Sequence, residues 1–183
     1  MHDPGLSYTR TAISLHWILF ALVCCGWALG QYMTGLQFSP QKLRYVSWHK
    51  WLGVTIFAVA VARLAWRIYH PVPPLPATLP RWQQRAATAM HALLYVLLLA
   101  IPLTGWLFSS AAGVPTVYLG WLQLPDLLAR DKAVADLLKS VHGTLNWALL
   151  VLVCIHAAAA LKHHFLDRDD VLARMIPFLK TTR

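Results

Sequence analysis

Four apolar segments, each long enough to cross a lipid bilayer, constrain the fold of this chain more than any other feature of its sequence. They span approximately residues 13–32, 46–68, 88–110 and 141–164. A helix needs about 20 apolar residues to cross the hydrocarbon core, and an isolated span in lipid has to be helical because only a helix satisfies its own backbone hydrogen bonds there. The sequence therefore predicts an all-α, integral membrane four-helix bundle that forms a single domain over residues 1–183.

The composition excludes an ordinary soluble domain. Hydrophobic residues make up 58% of the chain and charged residues only 13%, whereas soluble proteins contain about 25% charged residues. The net charge of +9 fits contact with membrane lipid; nucleic-acid binding is not predicted, because the sequence offers no soluble basic domain. The first apolar segment follows a polar tail and lacks an A-x-A cleavage site, so we interpret it as a membrane helix and not as a signal peptide.

The positions of the basic residues predict how the bundle is oriented. If the N-terminus faces the cytoplasm, ten of the 16 Lys and Arg residues fall at inner segments and six at outer segments. The excess of positive charge inside predicts that both chain termini are cytoplasmic. The long connection before the fourth segment is aromatic and apolar but broken by Pro and Gly. It is therefore expected to lie on the membrane surface or to cap the bundle.

Five of the nine histidines lie within the predicted spans, at His16, His49, His91, His142 and His156. Ionisable side chains inside a membrane are costly, so they indicate function by default. His142 and His156 are 14 residues apart. On a helix this spacing leaves them about 40° apart on one face and separated by about 21 Å along the axis. One imidazole therefore lies near each side of a hydrocarbon core about 30 Å thick.

The alternating directions of the spans place these histidines in two layers. The outer layer contains His49 and His142, and the inner layer contains His16, His91 and His156. Two layers of facing imidazoles suit two haems, each held by a pair of histidines. Haem iron takes only two axial ligands, so spacing alone does not choose among the three inner histidines. The one that is not a ligand is left to bind a haem propionate.

Neighbouring residues are compatible with haem sites. Gly53 and Gly143 lie close to the outer-layer histidines and leave room for a flat ring, and Leu149 lies midway between His142 and His156. One alternative is that each histidine only bonds to a neighbouring helix. A zinc site is a second alternative, which is less favoured because the four predicted spans contain no Asp or Glu.

Several stretches resemble the bacterial cytochrome b561 family. They are "ISLHW" at 13–17, "RLAWRIYHPVPP" at 63–74, "HALLYVLLLAIPLTGW" at 91–106 and "HAAAALKHHFLDRDDVLARMIP" at 156–177. The resemblance implies a multi-pass cytochrome of the bacterial inner membrane with two haem b groups. It implies that His16 and His156 ligate the inner haem iron, that His49 and His142 ligate the outer one, and that His91 is not a ligand.

The resemblance also implies an activity. Small members of the family are superoxide oxidases, which transfer electrons from superoxide to ubiquinone. The family is similar as well to the cytochrome b subunits of formate dehydrogenases and hydrogenases. The alternative is therefore an electron-transfer subunit that links a partner dehydrogenase to the quinone pool. In that case the physiological donor would be a redox partner protein and not superoxide.

Basic residues on the predicted outer side are candidates for attracting superoxide. A local excess of positive charge raises the encounter rate of a small anion. The alternative is that these side chains contact lipid headgroups. The candidates are Lys42, Arg44, Lys50, Arg130, Lys132 and Lys139.

The candidates for a quinone site lie at the predicted inner end. His163 is seven residues beyond His156, about 20° away on the same face and about 10 Å further along the helix. It is placed to donate a proton or a hydrogen bond to a quinone carbonyl. Arg81 and Arg85 are candidates for contact with haem propionates. Three further quinone candidates cluster at the start of the first span, although the tryptophan is also explained as an interfacial anchor; they are Arg10, Ser14 and Trp17.

Overall fold

Four long α-helices account for most of the chain. The computed structural model describes residues 7–70, 72–74, 79–176 and 178–179. Within these ranges the helices are α1 (Arg10–Thr34), α2 (Pro40–Tyr69), α3 (Arg81–Ala111) and α4 (Lys132–Lys162). All four are long and apolar enough to cross a membrane, which confirms the predicted helical membrane fold. The chain ends that the predicted domain includes, 1–6 and 180–183, and part of the α2–α3 connection lie outside the described residues.

Polar caps extend the helices beyond the apolar segments. The side chain of Thr9 accepts a hydrogen bond at the start of α1, and that of Ser39 does so at the start of α2. α4 begins at Lys132 and not near residue 141, because Asp131 accepts bonds from two backbone N–H groups of the first turn. Such caps satisfy helix N–H groups that have no partner within the helix. The predicted bounds therefore mark the apolar part of each helix and not its full length.

Consecutive helices pack side by side, from α1 to α2, α2 to α3 and α3 to α4. α1 and α4 meet through their aromatic rings, as in the pair Trp27 and Trp147. The bundle thus has a loop end, with the α1–α2 and α3–α4 connections, and a termini end, with both chain ends and the α2–α3 connection. The cytoplasmic location of the termini end remains a prediction.

Two small clusters of buried residues lie at the centre of the bundle, and most other apolar side chains face outward, as expected for helices in lipid. One cluster joins Leu19 of α1 to Ile56 and Ala60 of α2. The other joins α3 and α4 and contains Leu97, Ile101 and Leu149.

A short hairpin in the α3–α4 connection caps the loop end. Its strands are β1 (Val117–Tyr118) and β2 (Leu122–Gln123), which pair antiparallel. The Trp51 indole N–H donates to the Val117 carbonyl at 2.7 Å. The hydroxyls of Thr55 and Tyr118 lie 3.0 Å apart. Of the two places expected for this connection, the structure therefore shows the cap.

The C-terminal segment, residues 168–176, covers part of the termini end. α4 continues into a π-helical turn, His163–Asp167, after which Arg168 adopts a left-handed conformation with φ of 54° and redirects the chain. The Trp17 indole N–H of α1 donates to the Met175 carbonyl at 2.9 Å. The Arg174 guanidinium donates to the Pro74 carbonyl at 2.6 Å. These contacts hold the segment against both α1 and the α2–α3 connection.

Candidate functional site

His49 of α2 and His142 of α4 face each other near the loop end. Their ring centroids are 6.2 Å apart and their planes are inclined by 85°. The Nδ1 atom of His142 lies 3.0 Å from the Ile101 carbonyl oxygen. A carbonyl only accepts hydrogen bonds, so this contact requires a proton on Nδ1 and leaves the Nε2 lone pair available. Such bonds to the second ring nitrogen orient histidines that bind metals.

Two glycines allow these imidazoles to pack against neighbouring helices. A Cβ atom at Gly30 would lie 3.1 Å from Cε1 of His49, and one at Gly105 would lie 3.0 Å from Cε1 of His142. Both distances are too short for an ordinary side chain. The Nδ1 atom of His49 is buried and finds no hydrogen-bond partner within the described part of the chain. An unpaired buried polar atom is costly, so this ring nitrogen indicates a ligand.

A cavity of about 570 Å³ opens beside these two rings. His49 and His142 line it together with Gly53 and Gly143. A Cβ atom at either of these glycines would meet no other described atom within 4 Å. Sites for small molecules and cofactors have volumes of about 300–1,000 Å³. The cavity thus offers a cofactor-sized space directly next to two potential ligands.

Three histidines meet near the termini end. The centroids of His16 and His156 are 6.3 Å apart with planes inclined by 71°, and those of His91 and His156 are 5.3 Å apart. The structure therefore brings together all three histidines that the spacing placed in this layer. Arg63 of α2 is close enough to them for their charges to interact.

A register of 14 residues relates the two layers on every helix. It pairs the layer near the termini end with the layer near the loop end, through Arg63 on α2 and a histidine on each of the other helices. The four pairs are His16 and Gly30 on α1, His49 and Arg63 on α2, His91 and Gly105 on α3, and His142 and His156 on α4. Sequence analysis did not assign Arg63 to a layer, although its spacing of 14 residues from His49 is a signal that identifies it.

The midpoints of this register are apolar. Val23, Ile56, Leu98 and Leu149 occupy them, and all four belong to or pack against the two buried clusters. The expectation that Leu149 lies between the layers extends in this way to all four helices. An apolar layer therefore separates the two histidine layers.

Both facing pairs have the spacing of imidazoles on opposite sides of one metal ion. A metal–nitrogen bond of about 2 Å on each side places the two ring centroids about 6 Å apart. His49–His142 and His16–His156 match this distance. A structural zinc site needs four ligands, often thiolates, whereas imidazole pairs suit haem iron. The residues present fit two haem groups, and the ligand assignment itself remains a prediction.

The basic candidates divide into two groups at the loop end. Lys42, Lys50 and Lys139 line the cavity. Lys50 Nζ donates to the carbonyl oxygens of residues 114 and 115, at 3.0 and 3.2 Å, and Lys42 Nζ donates to that of residue 36 at 2.6 Å. The other three predicted residues do not line it. They are exposed, and one of them pairs with Asp136; they are Arg44, Arg130 and Lys132.

The quinone candidates lie on both sides of the C-terminal segment. His163 Nδ1 lies 2.7 Å from a carboxylate oxygen of Asp169 and 3.2 Å from one of Asp167. Trp17 contacts the same segment through Met175. The side chains of the other predicted residues are exposed, both at the quinone candidates of α1 and at the propionate candidates of α3; they are Arg10, Ser14, Arg81 and Arg85.

A four-helix membrane bundle with facing imidazole pairs at two depths defines a membrane cytochrome of the b type. Comparison with known proteins makes the identification more specific. The family described as prokaryotic cytochrome b561 matches residues 7–178. The chain belongs to this family. It binds haem b and transfers electrons as a multi-pass protein of the bacterial inner membrane, which confirms the resemblance inferred from the sequence.

Similar proteins cover nearly the whole chain. Cytochrome b561 homolog 2 of Escherichia coli strain K12 is 37% identical over 93% of this chain and 95% of its own length. Cytochrome b561 homolog 1 of the same strain is 31% identical over 93% of this chain and 97% of its own length. A protein of Yersinia pestis named probable superoxide oxidase CybB is 28% identical over 93% of this chain and 96% of its own length.

Proposed function

We propose that this protein is a superoxide oxidase with two haem b groups, which takes electrons from superoxide at the loop end and reduces ubiquinone at the termini end. Two superoxide anions each lose one electron and become dioxygen. One quinone takes up both electrons and two protons and becomes the quinol. The observation that carries the proposal is the presence of two facing imidazole pairs at different depths, with a cavity lined by lysines next to one of them.

His49 and His142 are proposed to hold one haem, and His16 and His156 the other. The centroid distances of 6.2 and 6.3 Å support these pairs. The shorter distance of 5.3 Å between His91 and His156 fits two ligands on opposite sides of a metal less well. With both axial positions occupied by histidine, haem iron supplies one-electron transfer and has no open position for dioxygen.

The loop end is proposed to be the superoxide side and to face the periplasm. Its cavity is lined by Lys42, Lys50 and Lys139. Backbone carbonyls bind the first two ammonium groups, which fixes these charges near the opening without neutralising them. Fixed positive charge beside a cavity concentrates a small anion and raises its rate of encounter.

His163 is proposed to deliver a proton to the quinone at the termini end. Its Nδ1 contacts the Asp169 carboxylate at 2.7 Å, which orients the ring and directs Nε2 away from the aspartate. A histidine oriented by a carboxylate is a common proton donor. The name of the Yersinia relative supports the choice of superoxide as substrate, whereas the names of the two E. coli relatives specify no substrate.

The test supplies superoxide enzymatically to the purified protein in detergent and follows haem reduction and the reduction of a soluble ubiquinone analogue. We expect haem reduction without any partner protein, and its suppression by superoxide dismutase. His142→Ala should remove one haem and abolish the reaction. If the protein retains two haems but superoxide reduces neither, the proposed donor is wrong, and a partner dehydrogenase becomes the alternative donor.

The quinone side is tested separately. His163→Ala should slow quinone reduction while both haems remain and are still reduced by superoxide. The matched control is His164→Ala, the adjacent histidine, which makes no hydrogen bond with Asp169. Loss of a haem in His163→Ala, or equal quinone rates in the two variants, would exclude the proposed role.

A further inference from the structure

Two arginines of α2 lie at the termini end next to the three-histidine layer. Arg63 and Arg67 are both partly buried and line one small cavity together with Tyr95. The Arg63 guanidinium donates to the Ala12 carbonyl at 2.7 Å, which uses one of its five N–H groups. The Arg67 guanidinium lies 5.9 Å from the centre of the Tyr95 ring.

Neither arginine has a carboxylate partner among the described residues. α1, α2 and α3 contain no Asp or Glu at all. The described aspartates of the termini end are paired elsewhere. Asp167 and Asp169 contact His163, and Asp170 contacts Arg174. Two guanidinium groups within a membrane helix are costly without a negative partner, so their pairing group has to come from outside the described chain.

Tyr95 provides a second, independent indication of a ligand. Its hydroxyl is buried and finds no hydrogen-bond partner in the part of the chain that the structure describes. It belongs to the same cavity as the two arginines, which measures about 30 Å³. This is about the volume of one water molecule in the liquid, which admits the end of a carboxylate but not a ring. A carboxylate accepts hydrogen bonds from both guanidinium and phenol groups.

We infer that Arg63, Arg67 and Tyr95 form a binding site for the carboxylates of the haem held by His16 and His156. The 14-residue register explains the position, because Arg63 occupies on α2 the depth that His156 occupies on α4. The inference rests on the proposed haem pair. It assigns the carboxylates to α2, whereas the sequence pointed to Arg81 and Arg85, which lie exposed at the start of α3.

The test compares Arg67→Gln with the control Arg85→Gln, which removes the same charge at the same end of the bundle. Arg67 is the first choice because Arg63 also binds a backbone carbonyl, so its loss affects folding as well. Each variant, without its haem, is titrated with haem b and with haem dimethyl ester, whose two carboxylates are methylated. Esterification affects both haem sites, and the loop-end contribution cancels when the two variants are compared.

We expect Arg67→Gln to bind one of two haem b groups roughly ten- to a hundredfold more weakly, as expected for loss of a hydrogen bond to a charged group. The variant should also discriminate less between haem b and its ester than Arg85→Gln does. Equal weakening of haem b and the ester in Arg67→Gln would overturn the carboxylate site, because the arginine would then act on the fold or on lipid phosphate. Weakening in Arg85→Gln alone would return the carboxylates to α3. Wild-type protein that binds no second haem would instead overturn the proposed function itself.

Discussion

Substitution of Gly105 by alanine tests whether the close approach of α3 to His142 holds the loop-end layer together. The new Cβ atom would lie 3.0 Å from Cε1 and 3.3 Å from Nδ1 of His142. Carbon atoms prefer separations of about 3.5–4.0 Å, so the ring has to move by about 0.5–1 Å. The same ring is fixed by the Ile101 carbonyl at 3.0 Å and by the Thr104 hydroxyl at 3.2 Å from Nδ1. It therefore cannot move without disturbing these bonds.

The cost of Gly105→Ala follows from three terms. Overpacking of a filled site costs about 1–3 kcal/mol, and loss of one hydrogen bond costs about 0.5–1.5 kcal/mol. Alanine is a better helix former than glycine by about 0.5–1 kcal/mol, which offsets part of this. We therefore expect the free energy of unfolding to fall by about 1–3 kcal/mol, with the perturbation confined to the His49–His142 layer.

Denaturant unfolding of the purified protein in detergent, followed by tryptophan fluorescence, measures the free energy, and the visible spectrum reports the haem of the loop-end layer. Gly35→Ala is the matched control, because its Cβ atom would lie at an ordinary distance of 3.7 Å from a backbone oxygen outside both layers. Its unfolding free energy should change by less than about 0.5 kcal/mol. If Gly105→Ala is as stable as this control and keeps an unchanged haem spectrum, the close packing does not hold His142 in place.

Three further variants test other parts of the bundle. His91→Ala should retain two haem groups, whereas His156→Ala should retain one; pyridine haemochrome analysis counts them, and loss of a haem in His91→Ala would contradict the proposed pairs. Lys139→Gln should lower the rate of haem reduction by superoxide and make it less sensitive to ionic strength, while Arg44→Gln, outside the cavity, should have a smaller effect in stopped-flow measurements. Trp17→Phe removes the indole donor that contacts the C-terminal segment, at about 0.5–1.5 kcal/mol, and should increase proteolysis of that segment without loss of haem.

The sequence was sufficient to predict the four helices and the two histidine layers. Hydrophobic length sets the first, and the periodicity of a helix sets the second. The spacing between His142 and His156 depends on one helix alone, so no knowledge of packing was needed. Choosing between His16 and His91 does require packing, because the distance of each ring to His156 depends on how α1 and α3 lie against α4.

Contacts between distant parts of the chain could not be predicted from local patterns. All six basic candidates of the loop end carry the same charge, yet only three of them line the cavity. Lys50 does so because its ammonium reaches the carbonyls that precede the hairpin, some 60 positions along the chain. The pairing of His163 with Asp169 likewise depends on the π-helical turn that reverses the chain after α4. A spacing rule for a regular helix does not include such a turn.

The 14-residue register makes the two layers different in charge, and this difference bears on the direction of electron flow. Near the loop end the positions beside the histidines are the glycines Gly30 and Gly105, whereas near the termini end α2 places Arg63 there. A positive charge near a haem favours the reduced form, because reduction removes one positive charge from the iron. If the haem carboxylates neutralise only part of the charge of Arg63 and Arg67, the haem of the termini end is the easier one to reduce. Electrons that enter beside the lysine-lined cavity then move toward His163, and the arginines of α2 supply direction as well as binding.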